Sequence, residues 1–446
     1  MDLSPHAAAV ARLLKGRQLD AYEIMVSQSR ELAIETKGGR LDAFRCAEPF
    51  GVAVRVQRGA GLGFSFSTTL DPAALATMVD GALQAVDMQT PDPCNLLPDA
   101  FPDYPQLPGL FDDALSAIPE QDKISRALEL ERLTLSRDPR LKRVRKCSYG
   151  ESRYGFYLCN SHGLSAGYRG SYVSCSVSAV AEADGDAQIG WDFGFANSFS
   201  GIDLDRIADG ASQRATALLG ARSLPTMRCQ AVLDNQVAAQ LLEVLAPSFL
   251  AENVQKGKSL FAGKTGEQLF SGLLTIRDNG LLPGGTGSAP CDGEGVPQQD
   301  TRLVASGVLE RFLCDSYWGQ RTGSPSTGNS VRGGVKVTPR LGVHNLFIEP
   351  GTSSPEELRA GVGRGVLITH VMGVHSANPI SGDFSIGAAG FYLEGGSIVH
   401  PVKGIAIAGN LLELFGGVDL VGDDLRFFGS VGSPALRTGA LDMSGS

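Results

Sequence analysis

The sequence is poor in the residues that metal and thiol chemistry draw on. Six histidines serve 446 residues, and His6, His162, His344, His370, His375 and His400 form no HExxH zinc-binding pattern. His370 and His375 are five apart on a stretch that reads as a strand running into a glycine turn. Their side chains therefore start on opposite faces, and satisfied loop histidines are the simpler reading. The eight cysteines (Cys46, Cys94, Cys147, Cys159, Cys175, Cys229, Cys291 and Cys314) contain no CxxC and no ligand-like spacing, the pattern of reduced core thiols in the cytosol. No GxSxG occurs, so a hydrolase built on a nucleophile elbow is unsupported. No apolar run approaches the ~18 residues of a spanning helix, and the N-terminus has no basic and long apolar regions of a signal peptide. A cytoplasmic protein without membrane partners is expected. Clustered positive charge is scarce too: the formal charge is −9 and the pI about 5.3, which argues against a nucleic-acid-binding face. The one basic cluster, Arg140, Lys142, Arg143, Arg145 and Lys146, enters a strand candidate and reads as edge protection.

What is present suits a multidomain α+β protein. A helical segment at 7–14 precedes alternating apolar and polar pieces from Tyr22 to Thr68, EIMVSQS, ELAIETK, LDAFRCA, GVAVRVQ and GLGFSFS, which read as strands with a hairpin turn at Gly38-Gly39. Asp71-Pro72 caps a helix running to about Asp87. Prolines 91, 93, 98, 102, 105 and 108 mark a semi-extended linker. A third helix, at 120–137, is followed by strand candidates at 141–151, 155–160, 164–168, 172–182 and 188–195. Another helix, opening at Asp203, closes that group. The order helix, strands, helix thus occurs twice. From Leu224 onward short apolar strand candidates alternate with glycine turns, the texture of a curved or barrel-like sheet. The expected divisions are 1–88, a linker at 89–113, a central domain at 114–222 and a glycine-rich, mainly β domain at 223–446.

In the last division, Asp234 is an N-cap candidate for a short amphipathic helix at 235–246, ended by Pro247. Shortly after it, Gly257 to Thr265 imitates a phosphate-binding loop. It has five residues between its first glycine and Gly-Lys-Thr where the anion nest needs four, so it reads as a surface turn. Asp292-Gly-Glu294-Gly lacks the further oxygen ligands of a calcium loop and reads as a structural turn.

Several motifs occur in order: Asp292-Gly-Glu-Gly-Val-Pro297, Thr301, Ser326-Thr-Gly-Asn329, Gly382-Asp-Phe-Ser-Ile-Gly387, and Pro401-Val402 leading to Ile407-Ala-Gly-Asn410. Together they resemble the TldD/PmbA (TldE) family, a peptidase family once described as modulators of DNA gyrase. The spacing of elements from Tyr22 to Asp87 also fits. The TldD branch carries HExxxH on a helix, with a cysteine completing a zinc site. Laying Gly257, Ser259, Phe261 and Gly263 on the matching family positions puts Leu242 and Pro247 in place of the two histidines and puts approximately Met372 in place of the cysteine. Only Glu243 is retained. A hydrolytic zinc site needs three protein ligands and an open position, so the resemblance implies the PmbA/TldE branch: no zinc in this chain, no catalytic residue, and a TldD-type partner that holds the metal. The pair would enclose a cavity and cleave small or unfolded peptides, with Gly328 and Asn329 as candidate peptide contacts. Two other readings stand beside it. One is a standalone peptide-binding or scaffold homodimer. The other is an autonomous peptidase using a thiol such as Cys291 or Cys314.

Overall fold

The computed structural model describes residues 2–445, and its first half is organised on one long strand. The strands there are β1 (Ala21–Lys37), β2 (Arg40–Ala47), β3 (Phe50–Arg58), β4 (Gly61–Ser67), β5 (Leu141–Asn160), β6 (Ser165–Ala183) and β7 (Asp186–Ala196). They pair in the order β4-β3-β1-β5-β6-β7, with β2 also on β1. The sequence divides β1 into two pieces near Ser29, but nothing there breaks an extended chain. Along one edge β5 follows it from Glu23 to Thr36. Along the other, the partner changes from β3, opposite Ala21–Gln28, to β2, opposite Glu31–Lys37. β5 and β6 likewise join pieces that the alternation alone separates. The two groups of helix and strands read from the sequence therefore share one antiparallel sheet.

Helices α1 (Ser4–Leu14), α2 (Pro72–Asp87), α3 (Glu120–Ser136) and α4 (Leu204–Ala217) supply its cover. Asp71 caps α2, its Oδ2 accepting from the Ala74 N–H at 3.0 Å. One core joins α1 and α2 to Ile24, Val26, Val52, Val54 and Val56, and another joins α3 and α4 to Leu32, Ile34, Cys147, Tyr149 and Val177. Ile24, Val26, Leu32 and Ile34 share one face of β1 by the period of two. The residues between them point the other way: Met25, Ala53, Leu158 and Ala166 pack against Cys291 and Val335. Two later stretches of chain, Ala289–Gln298 and Asp315–Arg340, thus belong to this first compact unit, which otherwise runs up to Thr216.

The second unit comprises Ala217–Ser288, Gln299–Cys314 and the chain from Leu341 onward. Its strands β8 (Met227–Leu233), β9 (Arg364–Met372), β10 (Asp383–Glu394), β11 (Ser397–Asn410) and β12 (Leu436–Ser444) pair in the order β11-β10-β9-β8-β12. β12 returns to β11 through Ala406↔Ser444 and Ile407↔Met443. That contact closes a five-stranded ring, the barrel that the glycine-punctuated texture predicts. A second, six-stranded sheet is built from shorter strands, Ile276–Asn279 and Asp300–Ala305 among them. Helix α5 (Asn235–Leu245) packs against β8, β9 and two strands of that second sheet. The fold is mixed α+β, with helix-and-strand units first and a largely β second half. Among the described residues no helix is long and apolar enough to cross a membrane.

Candidate functional site

Helix α5 forms where the sequence places it. Asp234 Oδ1 accepts the Val237 N–H at 2.8 Å, and Val237, Ala238, Leu241, Leu242 and Leu245 are buried. Pro247 does not end the turn abruptly: a 3₁₀ turn, Ala246–Phe249, follows the last α-helical residue, and a short helix, Ala251–Gln255, follows that. Proline lacks an N–H but its carbonyl still accepts, here from Leu250 N at 3.2 Å and Asn253 Nδ2 at 2.7 Å. Ser248 anchors the turn. Its Oγ donates to Pro379 O at 3.3 Å, and its carbonyl accepts from Ser259 Oγ at 2.6 Å. Phe249, Phe261 and Phe270 close beneath with ring centroids 4.8 to 6.4 Å apart. The stretch 257–265 is a run of turns after this helix.

The residues that the family resemblance lays over the zinc-site positions, Leu242, Glu243, Pro247 and Met372, all fall in the second unit. Leu242 is fully buried, Pro247 half-buried, and Glu243 exposed. Met372 ends β9 and is exposed, followed by Gly373 in the left-handed conformation. Helix α5 packs on both β9 and the 3₁₀ turn Val374–Ser376 that comes next, so the elements carrying all three positions adjoin. Their donor chemistry does not fit zinc. Leucine and proline side chains offer no lone pair, and a thioether is a soft ligand that suits Cu(I) better. Among the described residues no group of three or more His, Cys, Asp or Glu is placed to hold a metal ion.

The motif residues 292–297 and 326–332 come together in the first unit. Asp292 is buried, and its carboxylate accepts three backbone N–H groups: Glu294 and Val296 on Oδ1 at 2.9 and 3.0 Å, Ser330 on Oδ2 at 3.0 Å. Burial, with the neighbouring Glu294 carboxylate adding to it, pushes Asp292 up to about 8 against the opposing pull of those N–H groups. Glu294 itself accepts from Ser316 N at 3.1 Å and Arg55 Nη1 at 3.2 Å. Arg55 also holds Glu23 through Nε at 2.9 Å and through Nη2, and Arg332 Nη2 reaches Glu23 at 2.8 Å. These four side chains are 1 to 6% exposed. Burial alone would raise the Glu23 carboxyl, but Arg55 and Arg332 hold it below the ordinary glutamate range. The turn that resembles a calcium loop is thus a staple tied by ion pairs to β1 and β3. Sequence reasoning missed Glu23, Arg55 and Arg332. The available signal was a charged residue inside each of two apolar strand runs, Glu23 in AYEIMV and Arg55 in VAVRVQ.

Gly328 and Asn329 are interior residues of this unit. Gly328 has φ +69°, and a Cβ on it would lie 2.5 Å from Pro297 O. Asn329 is 1% exposed, and its Oδ1 accepts from Thr327 Oγ1 at 2.7 Å. Gly328 thus sits directly against the 297–298 backbone. Cys291 and Cys314 are buried as well. Burial, with Asp292 close by, pushes the Cys291 thiol up, the opposite of what an attacking thiolate needs.

Three family models of the PmbA/TldA metallopeptidases match in order: domain 1 over residues 22–86, the central domain over 113–219 and the C-terminal domain over 226–445. The chain belongs to the PmbA/TldD family. Metalloprotease PmbA of Escherichia coli O157:H7 is 29% identical over 426 residues, covering 94% of this chain and 91% of that protein. The TldD homolog of Haemophilus influenzae is 27% identical over 389 residues, covering 84% and 79%. Among solved structures, a Thermotoga maritima protein described as a candidate modulator of a DNA gyrase superposes with a TM-score of 0.90 at 26% identity, covering 99% of this chain and 100% of that one. TldE from Thermococcus kodakarensis superposes with a TM-score of 0.90 at 23% identity, covering 98% and 100%, and shows the same fold.

Proposed function

We propose that this chain is the metal-free subunit of a two-chain cytoplasmic peptidase, paired with a TldD-type chain that holds the zinc, and that the pair cleaves small or unfolded peptides. One observation supports the reading: helix α5, over which the family resemblance lays HExxxH, is intact, capped and packed, and the residues laid on the two histidines are the buried Leu242 and, in the 3₁₀ turn after the helix, the half-buried Pro247. Similarity to PmbA proteins supports the branch. Glu243 has no metal-activated water to serve as base and acts as a surface carboxylate. Gly328 and Asn329 shape the first unit by locking the 292–298 staple, and through it support peptide binding. The chain itself holds no cofactor.

The test is to express the chain alone and together with an HExxxH-bearing family member from the same genome. Zinc would be measured by elemental analysis, mass by light scattering, and hydrolysis on an unfolded polypeptide. Zinc and hydrolysis are expected only in the co-purified pair. Stoichiometric zinc with activity in the lone chain would overturn the reading. A stable homodimer that ignores the TldD-type chain would favour a standalone scaffold.

A further inference from the structure

Strand β5 opens on a pattern that a regular strand cannot satisfy. In Leu141-Lys-Arg-Val-Arg-Lys-Cys147 the apolar residues recur at every third position, with a pair of cations between them. An unbulged strand that kept Val144 inside would turn Lys142 and Lys146 inward with it. Two β-bulges resolve the conflict. The register with β6 runs Leu141↔Ala181, Arg143↔Val180, Val144↔Ala179 and Lys146↔Ser178, so Lys142 and Arg145 are the extra residues. Leu141, Val144 and Cys147 are buried as a result, and Lys142, Arg143, Arg145 and Lys146 are all exposed.

On the side away from β6 this stretch has no strand, because pairing with β1 ends at Thr36↔Cys147. The β1–β2 hairpin tip, with Lys37 opposite Arg40, stands beyond that last pair. Gly39 N donates to the buried Glu131 Oε1 at 3.0 Å, which ties the tip to α3. Carboxylates answer only part of the charge gathered here. Asp138 holds Arg140 at 2.7 Å, Glu182 holds Arg143 at 3.0 Å and Glu35 holds Lys146 at 2.7 Å. Lys142 Nζ turns to a carbonyl, Pro139 O, at 2.9 Å. Among the described residues, Lys37, Arg40, Lys142 and Arg145 are in no ion pair. The chain as a whole carries −9, so this positive end contrasts with an acidic remainder. One lysine or one bulge blunts a strand edge. Two bulges that each add a cation, beside a hairpin tip that adds two more, concentrate charge beyond that need.

We infer that the Lys37–Arg40 tip and the Arg140–Lys146 strip bind a short acidic segment of an unfolded polypeptide. The extent of the strip selects that partner. A DNA duplex carries a charge about every 1.7 Å and would run past the strip onto surface of its own sign. An extended run of about six acidic residues spans roughly 20 Å, the length of the strip itself. The cations sit in water, so the attraction is salt-sensitive and builds up over several pairs. Polypeptide as the partner rests on the peptidase reading above. Binding needs neither metal nor a second chain, so its failure and failure of the pairing show separately.

The experiment is fluorescence anisotropy of a labelled, unstructured peptide in which glutamates are spaced by serine and glycine, with its glutamine counterpart as control, each titrated with the full chain. The glutamate peptide should bind at least about tenfold more tightly than the glutamine peptide at low salt, and lose that advantage at about 300 mM salt. Lys142→Glu combined with Arg145→Glu should weaken binding at least about tenfold, with thermal unfolding confirming that the variant is folded. Lys15→Glu combined with Lys258→Glu changes the net charge equally at exposed positions elsewhere and should leave binding within about twofold. Equal losses in the two double variants would reduce the effect to net charge and overturn the site. Equal binding of the two peptides, or no binding of the glutamate peptide at millimolar protein, overturns it as well. Tighter binding of a single-stranded oligonucleotide of the same charge would overturn the choice of partner.

Discussion

Leu242 occupies a position with no solvent exposure, so a histidine there would bury an imidazole among aliphatic neighbours. Leu242→His should lower stability by roughly 2–4 kcal/mol in urea unfolding. It should gain no zinc, because Pro247 and Met372 still supply neither imidazole nor thiolate. Arg55 makes a contrasting case. Arg55→Ala would leave Glu23 and Glu294 buried with less opposing charge, and a loss of about 3–5 kcal/mol is expected by the same measurement. Asp292 sets a pH dependence. Its folded value of about 8 lies above the ordinary 3.8, so between these values the unfolded chain releases a proton that the folded chain keeps. The stabilising contribution is complete below the unfolded value and is lost as pH rises through the folded one. Asp292→Asn, measured against the parent at several pH values, should therefore gain in relative stability from pH 5 to pH 8. A constant difference across that window would remove the assignment.

At the scale of elements, the turn 326–330 is a steric fit. Gly328→Ala places a Cβ 2.5 Å from Pro297 O at a positive φ, and should cost more than about 1 kcal/mol. A proteolysis assay should show earlier cleavage near 292–298, where the staple is tied. The helices were largely legible in the sequence because caps and periodicity are local. Asp71 and Asp234 both accept the N–H three residues on, and the expected bounds of α1, α2, α3 and α5 and the expected start of α4 fall within a few residues of those observed. Strand lengths were less legible. Ser29-Arg30 looks like a boundary because alternation weakens there, yet pairing with β5 holds the chain straight across it. Partner strands distant in sequence supply that constraint, and local pattern cannot report it. The barrel was legible only as texture, since its closure depends on the Ile407↔Met443 pairing. At the site, the family resemblance named Leu242, Pro247 and approximately Met372, and their lying on adjoining elements came only from the structure. It could not see that Glu294 pairs with Arg55, 239 positions away.

For the whole molecule, the expected outcome of mixing with a TldD-type chain is one zinc per pair, removable by chelator together with hydrolysis. On the proposed reading, the chain by itself should unfold identically with and without chelator, by calorimetry. Connectivity adds a matter of timing. The sheet of the first unit is fully synthesised by Ala196, but Arg332, which completes the charge set around Glu23, emerges about 136 residues later. At roughly 5–20 residues per second on a ribosome, the face bearing Met25, Ala53 and Leu158 waits roughly 7–27 s for its full cover of Cys291 and Val335. During that interval the nascent chain displays an apolar surface with an incomplete ion cluster on it, a natural substrate for a holding chaperone until the later segments arrive.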